Sequence, residues 1–167
     1  MLYTSAEASK LLRKLNEEKL SIESRERQSS TFVAATTEDI EAVRPEYDYT
    51  ETQAEIDEIE AKIRKVKHAI NKFNIEHELP GFNMTIDQVL IYIPQLTKRK
   101  SKLSAMKDKL PRERNSTSRF NGAIEYTYAN YMIKQAKEDF TRISDELARV
   151  QVALDTINNS VRFEIDI

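Results

Sequence analysis

Between residues 52 and 79 the apolar side chains recur at alternating intervals of three and four: Ile56, Ile59, Ile63, Val66, Ile70 and Phe73. That spacing sets all six along one line of an α-helix, the seam along which helices wind around each other. A helix with such a line left in water would expose a long apolar stripe. The chain must therefore supply a partner stripe or find one on another copy. This single requirement excludes most β-rich and disordered folds. With only two glycines and four prolines in 167 residues, and 32% of them charged, the composition also favours long helices.

Three further segments meet the requirement. Residues 4–27 place Ala8, Leu12, Leu15 and Ile22 on one side, widened by Leu11, and Thr4 with Glu7 has the spacing of a capping box. Residues 86–110 carry Ile86, Val89, Ile93, Leu96, Leu103 and Leu110 behind Thr85 and Gln88, a second capping-box pair. Residues 131–158 carry Ile133, Ala136, Phe140, Ile143, Leu147, Val150, Leu154 and Ile157 without a break. The helix over 52–79 opens on Thr52 and Glu55 and stops at Pro80-Gly81, where proline cannot continue a helix and glycine accepts positive φ. Period-two alternation predicts short strands near 123–128 and 161–166, and "TFVAATT" predicts another near 31–36. The expected fold is mainly α, an antiparallel helical bundle or long coiled-coil hairpin. It forms a single helical domain over 1–167, with a small β element at one end.

The only two histidines lie in "KHAINKFNIEHELPG". On one continuous helix His68 and His77 point about 900° apart, to opposite sides, whereas histidines that share a metal sit at i and i+4. Nothing in the spacing predicts a metal site. His77, with Asn71, Asn74 and Thr85, is expected instead to build the tip where the second helix turns into the third.

Charge is segregated. Glu38 to Glu60 holds ten acidic residues against Arg44 alone, and Lys98 to Arg114 holds eight basic ones. These are Lys98, Arg99, Lys100, Lys102, Lys107, Lys109, Arg112 and Arg114. Folding the second helix back on the third would bring the acidic start beside the basic end, with both helix dipoles satisfied. The alternative is an anionic partner, a nucleic acid or a charged membrane surface, held by the basic stretch. A net charge of −2 disfavours a dedicated nucleic-acid binder.

Signs of catalysis are lacking: there is no Gly-rich phosphate loop, no HExxH and no serine set beside a histidine. No enzymatic activity and no cofactor are expected. Without cysteine there are no thiolate sites, and a reducing, cytoplasmic setting is expected. The opening "MLYTSAEASKLLRKL" has neither the flanks nor the apolar run of a signal peptide, and no stretch predicts transmembrane insertion.

The elements "INKFN", "MTIDQVL" and "IEYTYANYMIKQAKEDFTRISDELARVQVALDTIN" resemble an uncharacterised bacterial coiled-coil family, some of whose members carry a septicolysin-like name. Ile70, Asn71, Asn74 and Thr85 match its helix–loop–helix element, and Leu154, Asp155, Ile157 and Asn158 match its last helix. The family ends on an Asn-Trp pair, where this chain reads "NNSVRFEIDI". The resemblance implies the helical architecture and no catalytic residue; its toxin-like name raises a membrane-active alternative. From the residues themselves, the expected function is a non-enzymatic structural or interaction protein that forms homo-oligomers through its helix seams.

Overall fold

The computed structural model describes residues 1–115 and 124–167. They group into two compact units, the first made of Met1–His77 with Ile157–Ile167, the second of Glu78–Thr156.

In the first unit, strand β1 (Leu2–Thr4) leads into helix α1 (Ser5–Ser29), followed by a short α2 (Ile40–Val43), the long α3 (Tyr49–Glu76) and, at the chain's end, β6 (Arg162–Glu164). Thr4 caps α1 as the sequence predicts. Its hydroxyl accepts from the Glu7 N–H, and the Glu7 carboxylate accepts from the Thr4 N–H. The seam of α3 finds its partner here. Ile59, Ile63 and Val66 are buried with Ala8, Leu15 and Ile22 of α1 and with Ile165. Ion pairs from Lys19 to Glu60 and from Arg25 to Glu55 show that α1 and α3 run antiparallel. β1 and β6 pair antiparallel with Tyr3 opposite Phe163, and backbone bonds between Met1 and Ile165 extend the ladder. β6 thus finds its ladder at the other terminus, in a stretch too short to show any periodicity.

Two expectations are corrected in this unit. "TFVAATT" forms no strand: Glu38 closes a turn instead, its N–H bonded to the Ala35 carbonyl and its carboxylate accepting from the Ala35 N–H. With no neighbouring ladder, Val33 is left 95% exposed. The cap of α3 is Asp48, not Thr52. The Asp48 carboxylate accepts from the Glu51 N–H at 2.9 Å, while the Thr52 hydroxyl, one turn inside, donates back to the Asp48 carbonyl at 2.7 Å. A carboxylate at the N-terminus is favoured by both the free N–H groups and the helix dipole.

In the second unit, β2 (Glu78–Leu79) and β3 (Met84–Thr85) form a small hairpin. Its turn holds Gly81 at φ 82° and Asn83 at φ 48°, conformations that glycine and asparagine reach most cheaply. The third predicted helix is α4 (Ile86–Lys107), closed at its start by the Thr85–Gln88 capping box. It ends a turn before the predicted 110, because Pro111 pushes Leu110 out of the helical region and leaves it 59% exposed. β4 (Arg112–Arg114) pairs antiparallel with β5 (Tyr126–Tyr128), which starts later than the strand expected at 123–128, since Ile124 and Glu125 are outside it; residues 116–123 lie outside the description.

Helix α5 (Ile133–Ser160) completes the fold, and its last turn belongs to the first unit. Its predicted stripe is buried at Ala136, Ile143, Leu147, Val150, Leu154 and Ile157. Within the second unit, Tyr92 donates to Glu146, Lys107 lies over the Phe140 ring, and the Tyr131 hydroxyl donates to the Met106 carbonyl. The order of these contacts makes α4 and α5 antiparallel.

Candidate functional site

The four residues expected at the hairpin tip fall at three places: Asn71 and Asn74 on α3, His77 at its C-terminal cap and Thr85 at the start of α4. α3 stops at Glu76, and His77 takes an extended conformation, so the turn-by-turn geometry that separates the two histidines does not apply. His68 and His77 both border one open cavity of about 410 Å³, together with Lys72, Glu76, Phe163 and Asp166. The His77 ring lies tilted by 31° against Phe73 with centroids 4.2 Å apart, and its Nδ1 lies 2.9 Å from the Phe73 carbonyl, an acceptor, which places the proton on Nδ1. Among the described residues no cluster of His, Asp and Glu could hold a metal ion. Asn71 and Asn74 lie on the last turns of α3. Thr85 caps α4.

Within the first unit, Glu55 and Glu60 meet Arg25 and Lys19 of α1. The Lys19–Glu60 hydrogen bond lowers the Glu60 carboxyl below its ordinary value and raises the Lys19 ammonium above its own. The α1 stripe is long enough to satisfy α3 and carries its own cations at matching positions.

Among the described residues Lys98, Arg99, Lys100, Lys102, Lys109, Arg112 and Arg114 form no ion pair, and Lys107 pairs with its neighbour Asp108. The stretch continues from the last turns of α4 into β4, where the strand pairing sorts the side chains. Arg112 lies opposite Tyr128 and Arg114 opposite Tyr126, so two arginines and two tyrosines share one face, with Glu113 and Thr127 on the other. The Arg112 guanidinium sits 4.4 Å from the Tyr126 centroid, a cation–π contact.

Between this hairpin and the end of α4 opens an apolar cavity of about 290 Å³, lined by Met106, Leu110, Thr127, Tyr128 and Tyr131, with Lys109 and Glu113 at its edge. Leu110 and Tyr128 are 59% and 62% exposed, and Met132, next to Tyr131 in the chain, is 70% exposed. The helical stripe predicts Leu110 in the core, but it borders this cavity instead. The signal was present in Pro111, which cuts the helix short of that residue.

A further polar cavity of about 450 Å³ lies where α1 ends and α3 begins, lined by Arg25, Glu26, Tyr47, Asp48, Glu51 and Glu55. Glu26 Oε1 accepts from both the Tyr47 hydroxyl, at 3.0 Å, and the Gln53 amide, at 2.7 Å. Loss of hydration and the bond to Glu26 raise the Tyr47 phenol above its ordinary value. These groups satisfy one another, and they fasten the 30–48 connection to α1.

No family model matches the sequence, and no curated protein matches it. In fold the chain is similar to a functionally unknown conserved protein from Corynebacterium diphtheriae, whose crystal structure superposes with a TM-score of 0.63 at 17% identity. The match covers 98% of this chain and 100% of the other. At that identity the likeness shows the fold. Among the described residues no helix is long and apolar enough to cross a membrane.

Proposed function

We infer that this is a non-enzymatic structural or interaction protein that associates with further copies of itself. The observation that carries this is the apolar cavity beside β4 and β5, bordered by side chains that a monomer leaves bare. Large apolar residues grouped around a cavity and rimmed by charge mark interaction sites more often than they mark neutral surface. The antiparallel α1–α3 pair is best described as a coiled-coil hairpin, since the seam of α3 meets the stripe of α1. Because those stripes bury each other, association works through the surfaces around them. The lack of cysteine fits a cytoplasmic setting. Mass by light scattering after size exclusion, over a dilution series, tests this proposal. A mass above the 19.4 kDa of one chain that falls on dilution is expected, and a constant monomer refutes it.

A second reading is favoured by the Arg112, Arg114, Tyr126 and Tyr128 face, which combines phosphate-binding cations with rings on which bases can stack. It predicts binding of single-stranded oligonucleotides that weakens steeply with salt. Binding that is absent at low salt refutes it.

A further inference from the structure

The outer side of α4 carries a line of cations that ends at the apolar cavity. Lys98, Lys102 and Met106 follow at four-residue steps, so they stand one above another on the same side of the helix, about 6 Å apart along its axis. Met106 and Ala105 line the cavity, and Lys109 borders it just after the helix has ended. Lys98, Lys102 and Lys109 are all exposed, and among the described residues none of them makes an ion pair. Lys100 and Lys107 project to the opposite side, where Lys107 covers the Phe140 ring. Among the described residues Glu113 is the one anion that borders the cavity. Arg112 and Arg114 lie on the other face of β4 and take no part.

We propose that this cavity binds a single-chain anionic amphiphile. Its aliphatic chain enters the cavity, and its carboxylate or phosphate head is held by Lys102 and Lys109, with Lys98 a turn further out. The proposal goes beyond self-association and concerns each copy by itself. The lining selects the chain. Its walls are Ala105, Met106, Leu110, Ala129 and the rings of Tyr128 and Tyr131, and the Tyr131 hydroxyl is already engaged by the Met106 carbonyl at 2.8 Å. A nucleobase or a peptide would bring polar groups that such walls leave without partners, a cost that an aliphatic chain does not carry. Size sets the length. A cavity of about 150 Å³ takes a benzene ring, so one of about 290 Å³ takes one chain of about eight carbons. Charge selects the head, since three unpaired lysines against Glu113 attract an anion and repel an ammonium.

The test titrates the full-length chain with octyl phosphate, octyl glucoside and octyltrimethylammonium, each below its micelle concentration, by calorimetry and by NMR shifts. Octyl phosphate should bind once per chain and shift Ala105, Met106, Leu110 and Tyr128. Lengthening the chain from hexyl to octyl should tighten binding about fourfold per methylene, because each one leaves water for an apolar wall. The ammonium should bind at least about tenfold more weakly than the phosphate, the combined effect of three exposed charges. Lys98→Gln/Lys102→Gln/Lys109→Gln should remove that preference and leave octyl glucoside binding unchanged. Leu110→Glu, at an exposed border position, should weaken octyl phosphate and octyl glucoside alike. Circular dichroism should show both variants folded. Absence of octyl phosphate binding would overturn the proposal, and so would equal affinity for the phosphate and the ammonium. Shifts confined to Arg112, Arg114 and Tyr126 would also overturn it, by assigning the anion to the nucleic-acid face. Because binding is read per chain, a monomer that binds supports this proposal while refuting self-association, and an oligomer that does not bind does the reverse.

Discussion

Phe73 and Phe163 stack with their ring centroids 4.6 Å apart and their planes inclined by 25°. The contact joins the last turns of α3 to the strand that ends the chain, and Phe73 is only 2% exposed. It closes the first unit from both ends of the sequence, since β6 is held in turn by β1.

Phe73→Ala should therefore be among the most damaging single changes in this unit. Removing a buried ring loses its transfer free energy and leaves a cavity, together about 3–5 kcal/mol. Denaturant unfolding followed by circular dichroism should show that loss. Phe73→Leu, which keeps most of the volume, should cost much less. Equal effects would mean that the cavity does not determine the cost.

The start of α3 gives a sharper test, because two residues compete for the cap. Asp48→Ala removes the acceptor for the Glu51 N–H and should cost about 1 kcal/mol. Thr52→Ala removes only a hydroxyl that bonds back to the Asp48 carbonyl, and should change stability by a few tenths at most. The reverse order in a thermal-melt comparison would restore Thr52 as the cap.

The same competition explains what could and could not be read in the sequence. Helical stripes were legible because each rests on many residues at one period: Ile59, Ile63 and Val66 are buried as their spacing demands. The boxes at Thr4 and Thr85 form as their spacing predicts, whereas the same spacing at Thr52 and Glu55 is overridden by Asp48, an acceptor that lies just before the helix. The pairing of the helices was not legible, since charge alternation on α1 and on α4 offers the acidic start of α3 equally plausible partners. Strand partners were hidden for a similar reason. β6 alternates clearly, but its ladder depends on three residues at the opposite terminus. The cavity beside Leu110 depended on where a helix stops, and a stripe by itself does not record its own end.

The Lys19–Glu60 bond between α1 and α3 predicts how the first unit responds to pH. The Glu60 carboxyl is lowered from 4.5, mainly by that hydrogen bond, so its contribution is present above 4.5 and is lost as the pH falls through its folded value. The Lys19 ammonium is raised from 10.5, mainly by the same bond, so its contribution is present below 10.5 and is lost as the pH rises through its folded value. The pair thus supports the fold across the range between. Glu60→Gln should flatten the acid side of a plot of melting temperature against pH, with little change in the shape of the curve near neutrality. A variant whose acid limb matches the wild type would show that the pair carries no linkage.

Tyr92 makes the corresponding prediction for the second unit. Its hydroxyl donates to Glu146. That hydrogen bond, followed by burial and the negative charge of the carboxylate, raises the phenol above 10.0. A phenol whose proton is held more tightly in the folded state stabilises that state below 10.0, and the support disappears as the pH rises through the folded value. Of the seven tyrosines, Tyr92 should be among the last to ionise, with Tyr47, whose phenol is also raised. Phenolate absorbance followed through an alkaline titration should show a late phase that becomes smaller in Tyr92→Phe. If the hydrogen bond is the cause, Glu146→Gln should move that phase to lower pH while leaving the phenol in place. If the phase does not move, burial is the cause, and the contact between α4 and α5 at this point rests on packing.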